Sequence, residues 1–263
     1  ENYQYSGQKM KTLKYITYII LLGLIGFLGT QTSRAEEVTG EYILKMIDDN
    51  VYLDKAMTEA TMTVFDRRGR ELSFKSRGWV KGADTRLVEY LPPPRQKGVK
   101  MLMLEDNLWM YTPEPTDRII TISGHMLRQS LNGSDLSYED MMENSQLIKS
   151  YDAKVVGKEQ YNDRECWVVE LTANREDVSY HSRKMWVDTE RWLGLKEERY
   201  AKSGKLLKRL EILNVIKLKD RWYPKKMRFK DMLSKGKGTE YVIDKIDFDV
   251  DIPDHIFTKA SLR

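Results

Sequence analysis

Met101-Leu102-Met103-Leu104 and Leu108-Trp109-Met110-Tyr111 are apolar runs separated by the polar residues Glu105-Asp106-Asn107. Two short apolar runs on either side of a polar turn predict a β-hairpin. Successive side chains of a strand point to opposite faces, so this hairpin has apolar side chains on both faces of its sheet. Both faces then need cover. Because 32% of the residues are charged and helical stretches are few, we expect a sheet curved around an apolar interior, which is either a core or a cavity.

The N-terminal region has the three parts of a secretory signal peptide. Lys11 and Lys14 follow Met10, an apolar run extends from Ile16 to Leu28, and Ser33-Arg34-Ala35 resembles a cleavage site. The alternative is an uncleaved membrane anchor, but a run of 13 residues is short, because a spanning helix needs about 20. We therefore predict cleavage of a signal peptide and export to the periplasm of a Gram-negative bacterium.

This interpretation divides the chain into three parts. Residues 1–9 precede Met10 and are interpreted as an expression or translation remnant, residues 10–35 as the signal peptide, and residues 36–263 as a single domain. The net charge is +4 overall, of which the first 35 residues carry +3 and the rest +1. A nearly neutral domain with scattered Lys and Arg gives no indication of nucleic-acid binding. We expect a monomer.

Cys166 is the only cysteine, so the chain cannot form an internal disulfide. No cysteine lies near the predicted cleavage point, which argues against lipid attachment to the chain itself. Cys166 alternates with Val168 in an apolar run, and this pattern indicates a buried, inert thiol rather than a nucleophile.

One helix and many strands are predicted after the signal peptide. The helix runs from Glu41 to about Val51 and is capped by Thr39. From Met57 the apolar period changes to two, which predicts strands. Turn residues recur about every ten to fourteen positions, a spacing that favours one antiparallel sheet or barrel over alternating strand–helix units. The further predicted strands are 71–80, 85–91, 99–104, 108–111, 153–160, 165–172, 184–188, 193–200, 206–217, 222–232 and 239–250.

The segment from Ser123 to Ser150 interrupts the strands. Met126-Leu127 is apolar, and Ser137 followed by Asp140 predicts a capping box that opens a short helix. A segment of this length between strand pairs could fold across one opening of a curved sheet as a lid. The alternative is an ordinary surface excursion.

No catalytic or metal site is predicted, and we expect a protein without enzymatic activity or cofactor. His125, His181 and His255 lie far apart, and none has a second ligand at metal-binding spacing. Asp135, Glu139 and Asp140 are candidates for a carboxylate pair, but a capping role accounts for Asp140 and a turn for Asp135, and no sugar-stacking residues are evident. The lack of recognisable chemistry favours a binding protein.

Several motifs along the chain resemble exported outer-membrane lipoprotein-sorting proteins, the LolA-like carriers. Their order and the combination of the third and fourth motifs make the resemblance fairly specific. The motifs are Ala60-Thr61-Met62-Thr63, Leu108-Trp109-Met110-Tyr111 before Pro113, Gly133-Ser134-Asp135, Ser137-Tyr138-Glu139-Asp140, and Val250-Asp251-Ile252-Pro253 with Ile256-Phe257.

The resemblance implies a mainly β (α+β) fold, a LolA-like curved antiparallel half-barrel of about eleven strands with helices covering the concave face. It also implies a periplasmic carrier that shelters the acyl chains of a lipoprotein or another lipid on the way to the outer membrane. Implied partners are these acyl chains, an inner-membrane RND-type (MMPL) transporter and an outer-membrane acceptor. The alternative function is a lipid-sensing or regulatory module similar to RseB-like proteins; a hydrolase is less favoured.

An acyl carrier needs an apolar wall, because exposing a chain of some fifteen methylenes to water costs roughly 12 kcal/mol. Methionine suits such a wall, since it is unbranched and adapts to ligands of varied shape. The alternative for each candidate is ordinary core packing. The predicted lining residues are Met62, Met101, Met103, Trp109 and Tyr111.

Overall fold

A computed structural model describes residues 38–65, 69–91, 96–143, 146–248 and 250–263. The predicted signal peptide and the residues before it lie outside this part of the chain. No helix among the described residues is long and apolar enough to cross a bilayer.

The described residues form one open antiparallel sheet of thirteen strands. The strands are β1 (Lys55–Phe65), β2 (Glu71–Lys81), β3 (Thr85–Tyr90), β4 (Lys100–Leu104), β5 (Asn107–Thr112), β6 (Arg118–Ile122), β7 (Tyr151–Tyr161), β8 (Arg164–Ala173), β9 (Ser182–Asp188), β10 (Gly194–Tyr200), β11 (Leu206–Leu218), β12 (Arg221–Asp231) and β13 (Thr239–Asp247). Their order in the sheet is β6-β5-β4-β3-β2-β1-β13-β12-β11-β10-β9-β8-β7. Nearly every strand pairs with its neighbour in sequence, and β1 and β13 join the two halves.

The mainly β antiparallel fold is therefore confirmed, while the strand count is thirteen rather than about eleven. The pattern of apolar residues predicted twelve of these strands and missed β6. Its residues Ile119, Ile120 and Ile122 follow a proline-containing loop, and only pairing with β5 makes this short run a strand. The sheet is open, since its edge strands are β6 and β7.

The helices are short. α1 (Gly40–Val51) precedes the sheet and α2 (Tyr138–Met142) lies between β6 and β7; 3₁₀ helices occupy Gly124–Arg128, Leu147–Lys149, Asp254–Phe257 and Lys259–Leu262. The predicted cap of α1 is confirmed, because Thr39 Oγ1 accepts a hydrogen bond from Tyr42 N at 3.2 Å.

α1 packs closely against the edge of the sheet. Its apolar side chains Ile43, Leu44 and Ile47 are buried against residues of β7, β8 and β9. At the start of the helix the backbone approaches β7 so closely that a Cβ at Gly40 would lie 2.3 Å from Ala153 O. Only glycine fits this contact without a shift.

The two faces of the sheet are distinguished by what covers them. We call the face that carries Met62, Met101 and Met103 the inner face. Paired residues on neighbouring strands share a face, and the register extends the inner face across the sheet to the residues beneath α1. The residues along this path are Tyr241 and Met227, then Phe229, Leu210, Glu197, Met185 and Val169.

The inner face thus has two covers, α1 over β7–β9 and the segment Ser123–Glu143 over β1–β6. We call Ser123–Glu143 the cover segment. The outer face of β2–β6 is covered by the C-terminal residues Ile252, Phe257 and Leu262, which pack on Leu87 and Leu102. The predicted need of the Met101–Tyr111 hairpin for cover on both sides is confirmed.

Candidate ligand-binding site

The inner face beneath the cover segment is lined by a large cluster of buried apolar side chains. Strand residues there include Met62, Met101 and Met103, each no more than 4% exposed. The cover segment inserts Leu131 and Leu136 among them. Three of the five predicted lining residues therefore lie together, and they face a segment that is tied to the sheet by side-chain contacts rather than by strand pairing.

Trp109 and Tyr111 lie on the opposite face. Both pack with the C-terminal cluster, and Tyr111 OH donates a hydrogen bond to Asp117 Oδ1 at 3.2 Å. A single cavity cannot be lined by these two aromatic residues and by the three methionines as well. The alternation in β5 explains the division, because Leu108 and Met110 take the inner face and the aromatic residues the outer one.

The space that remains between the methionines and α2 is small. Its volume is about 10 Å³, roughly enough for one water molecule, and it is lined by side chains that include Met101, Met103, Leu108 and Met141. Ligand sites of small molecules usually measure about 300–1,000 Å³. In this conformation the inner face is filled by the protein's own cover segment, and an acyl chain would have to displace it.

Arg86 lies at this pocket among apolar side chains. Its Nη1 donates to the carbonyl oxygen of Met141 in α2 at 3.3 Å. Among the described residues no carboxylate lies within ion-pair distance of it, and burial lowers the pKa of its guanidinium from the ordinary value. Arg86 of β3 thus holds the end of the cover segment through a backbone carbonyl.

A buried ion cluster lies beside the apolar part of the inner face. Arg183 of β9 and Arg199 of β10 both bind Glu197, at 2.7 Å and 3.0 Å, and all three side chains are less than 10% exposed. Arg183 Nη2 also donates to Tyr151 OH at 2.9 Å. The alternation of side chains along β9 and β10 puts Arg183, Glu197 and Arg199 on the inner face. Apolar residues usually occupy such enclosed positions.

The cover segment completes this cluster. Arg199 Nη1 lies 3.2 Å from Asp140 Oδ1 and 2.8 Å from Glu143 Oε2, and Glu143 also pairs with Arg183. Tyr180 OH donates to Asp140 Oδ1 at 2.6 Å. We call Asp140, Glu143, Arg183, Glu197 and Arg199 the ion cluster. It fastens the end of the cover segment to β9 and β10.

The protonation states in the cluster follow from burial and charge. Burial alone would raise the pKa of Glu197, but Arg199 and Arg183 outweigh it and hold that pKa well below its usual range. Burial would also raise the pKa of Asp140, and Arg199 with Tyr180 likewise reverses the shift. Burial raises the pKa of Tyr180 far above its ordinary value. Glu197 and Asp140 are therefore charged and Tyr180 is protonated at neutral pH.

A second attachment holds the middle of the cover segment. Asp135 N donates to Thr239 Oγ1 at 2.9 Å, and that hydroxyl donates to Asp135 Oδ2 at 2.9 Å. Asp231 N donates to Asp135 Oδ1 at 2.9 Å. The predicted structural role of Asp135 is confirmed, as is the capping box of Ser137 and Asp140.

Neither the cysteine nor the described metal-ligating residue types form a reactive site. Cys166 is fully buried, and burial raises the pKa of its thiol to about 11, so it is an inert thiol as predicted. Within the described ranges no three His, Cys, Asp or Glu side chains are grouped as metal ligands would be.

Sequence reasoning missed Arg183, Glu197 and Arg199. A signal was present, because Glu197 and Arg199 share the phase of the apolar Leu195 in a predicted strand. Charged residues in an apolar phase are rarely buried unless they are paired. Their partners in the cover segment are distant in sequence, Asp140 lying 59 residues before Arg199, so the pairing itself could not be read from spacing.

Comparisons with known proteins agree with this architecture. A family model described as "Uncharacterized protein" matches residues 82–263. No curated protein sequence matches the chain.

Three solved structures are similar to the chain over 85% of its length. They are a DUF1329 family protein from Desulfovibrio piger (TM-score 0.76, 24% identity, 98% of that chain covered), a proposed outer-membrane lipoprotein-sorting protein domain from Vibrio parahaemolyticus (0.75, 23%, 97%) and a LolA superfamily protein from Nitrosomonas europaea (0.71, 24%, 99%). At these identities the likeness establishes the fold.

Proposed function

The chain belongs to a LolA-like family, and on this premise we propose that it is a non-enzymatic periplasmic carrier that shelters the acyl chains of a lipoprotein or another lipid. The chains would bind the inner face in place of the cover segment. The single observation that carries the proposal is the methionine-rich face of β1, β4 and β5 under a segment held by side-chain contacts.

The energetics support reversible exchange of the cover segment for an acyl chain. Displacing Leu131 and Leu136 costs roughly 1.5–3 kcal/mol each, and opening a buried ion cluster costs about 3–5 kcal/mol. Sheltering some fifteen methylenes gains roughly 12 kcal/mol. These quantities are of similar size, so cargo would bind without becoming trapped, which a carrier needs because it must release its ligand.

The proposal includes a donor and an acceptor. Because a sheltered acyl chain has to be loaded and unloaded at membranes, we propose an inner-membrane RND-type (MMPL) transporter as donor and an outer-membrane protein as acceptor. A monomer is sufficient for this role, since one chain supplies both the wall, in its sheet, and the cover, in the segment Ser123–Glu143.

Mass spectrometry of the protein purified from its native envelope tests the function. Lipid extracts and copurifying acylated peptides should contain one acylated molecule per protein at most, and absence of any lipid would overturn the proposal.

A pair of adjacent variants tests the site. Met103→Gln places a polar amide on the inner face, and Leu104→Gln places the same group on the outer face. Glutamine is close in size to both methionine and leucine, so both variants should fold. Circular dichroism would verify this. Lipid occupancy should fall in Met103→Gln only; equal occupancy in the two folded variants would contradict the assignment of the inner face.

A further inference from the structure

Two chain turns lie side by side at one end of the sheet. Ala201–Lys205 connects β10 to β11, and Met232–Gly238 connects β12 to β13. Met232 N donates to Leu207 O at 2.9 Å, which joins the second turn to the start of β11. We call these two turns the basic tip.

Large apolar side chains are exposed at this end of the sheet. Leu233 in the tip is 58% exposed and Leu72 of β2 is 55% exposed, the two highest values among large apolar residues of the described chain. Val64 pairs with both Leu72 and Thr239, so Leu72 lies two strands, or about 10 Å, from the start of β13. Met232 is a third exposed apolar residue here.

The tip is also strongly cationic. It contains Lys202, Lys205, Lys235 and Lys237, all exposed, and in the part of the chain described none of the four forms an ion pair with a carboxylate. Two acidic residues adjoin the tip, and both have other partners. Asp231 accepts a hydrogen bond from Leu233 N and pairs with Lys208, and Asp135 accepts one from Ser234 Oγ and pairs with Lys230. Four exposed lysines without an ion-pair partner among the described residues, beside an exposed leucine, contribute nothing evident to the packing of the fold.

We propose that the basic tip docks on the surface of an anionic phospholipid bilayer. Lysines near such a surface are attracted to its headgroups, and exposed Leu and Met side chains gain by entering the interface. An acidic protein would satisfy the lysines, but the protruding leucines would then need a matching pocket. The combination of charge and exposed apolar side chains favours the bilayer.

The inference adds a membrane-contact site to the carrier and does not depend on the cargo. The tip adjoins the attachment of the cover segment, since Asp135 is bound by Thr239 and Asp231 on either side of the second turn. Docking would bring the cover segment close to the headgroups.

Sedimentation of the chain with lipid vesicles tests the proposal. Vesicles of phosphatidylcholine with about 30 mol% phosphatidylglycerol should bind the protein, pure phosphatidylcholine should bind it at least tenfold more weakly, and about 0.5 M salt should remove most of the difference. Equal binding to the two kinds of vesicle, or none to either, would overturn it.

Matched variants locate the contact. Lys235→Gln with Lys237→Gln should weaken binding about thirtyfold, whereas Lys154→Gln with Lys217→Gln, two exposed lysines on β7 and β11, should leave it unchanged. Leu233→Ser should weaken binding and the exposed Leu213→Ser should not. Equal effects of the tip variants and the control variants would refute the basic tip as the membrane contact. Binding of an acidic protein through these lysines, without binding to vesicles, would refute it as well. Mass spectrometry of bound lipid tests the carrier function separately, so failure of vesicle binding and failure of the carrier proposal can be told apart.

Discussion

Replacement of Arg199 by leucine tests whether the ion cluster fastens the cover segment. Arg199 is 8% exposed and contacts Asp140, Glu143 and Glu197 within 3.2 Å. Arg199→Leu removes the cation that all three carboxylates share and leaves Arg183 as the only buried arginine of the cluster. Removing one partner of a buried ion pair costs about 3–5 kcal/mol, because the remaining charge stays desolvated. We expect a loss of this size in the free energy of unfolding.

Urea denaturation measures that loss, and hydrogen exchange of the cover segment locates it. The control is Arg77→Leu, which removes a more exposed arginine of β2 that binds Glu59 at 2.7 Å; exposed ion pairs contribute about 0–1 kcal/mol. Exchange in residues 123–143 should rise in Arg199→Leu while exchange in α1 stays slow. A loss below about 1 kcal/mol, or unchanged exchange in the cover segment, would refute the role of the cluster.

Three further predictions concern the contacts around the inner face. Gly40→Ala should lower the free energy of unfolding by about 1–3 kcal/mol in urea titrations, since its Cβ would overlap Ala153 O. The control, Glu41→Ala at the exposed next position, should lower it by less than about 1 kcal/mol. Thr239→Val should cost about 1–3 kcal/mol and loosen the cover segment in hydrogen exchange, because it removes the hydroxyl that Asp135 binds; wild-type exchange would contradict this. Arg199 and Arg183 lower the pKa of Glu197 to about 2 despite its burial. The contribution of Glu197 to the free energy of unfolding, about 3 kcal/mol, is therefore complete above its ordinary pKa and is lost as the pH falls toward 2. Denaturation curves recorded across this pH range measure the loss, and a Glu197→Gln variant with the same acid dependence would count against it.

Local patterns predicted much of the fold. The hairpin of Met101–Tyr111, the cap at Thr39 and the capping box of Ser137 all depend on residues close in sequence, and all three are confirmed. β6 was missed because its five residues carry no turn signal of their own and become a strand through pairing with β5.

The site was less predictable because it depends on distant contacts. The alternation in the hairpin shows two apolar faces, yet nothing local says that Leu136 will cover one and Phe257 the other. Trp109 was therefore grouped with Met103 although they lie on opposite faces. Burial of Arg199 likewise depends on Asp140 in a different part of the chain.

Photocrosslinking with a diazirine-labelled acyl lipopeptide tests most directly whether the inner face holds the cargo. The label reacts with the side chains that surround the bound chain, and peptide mass spectrometry identifies them. We predict adducts at Met62, Met101 and Met103 and in the cover segment, with competition by unlabelled lipopeptide. Adducts confined to Trp109, Tyr111 and the C-terminal residues, or no competed adduct at all, would contradict the account.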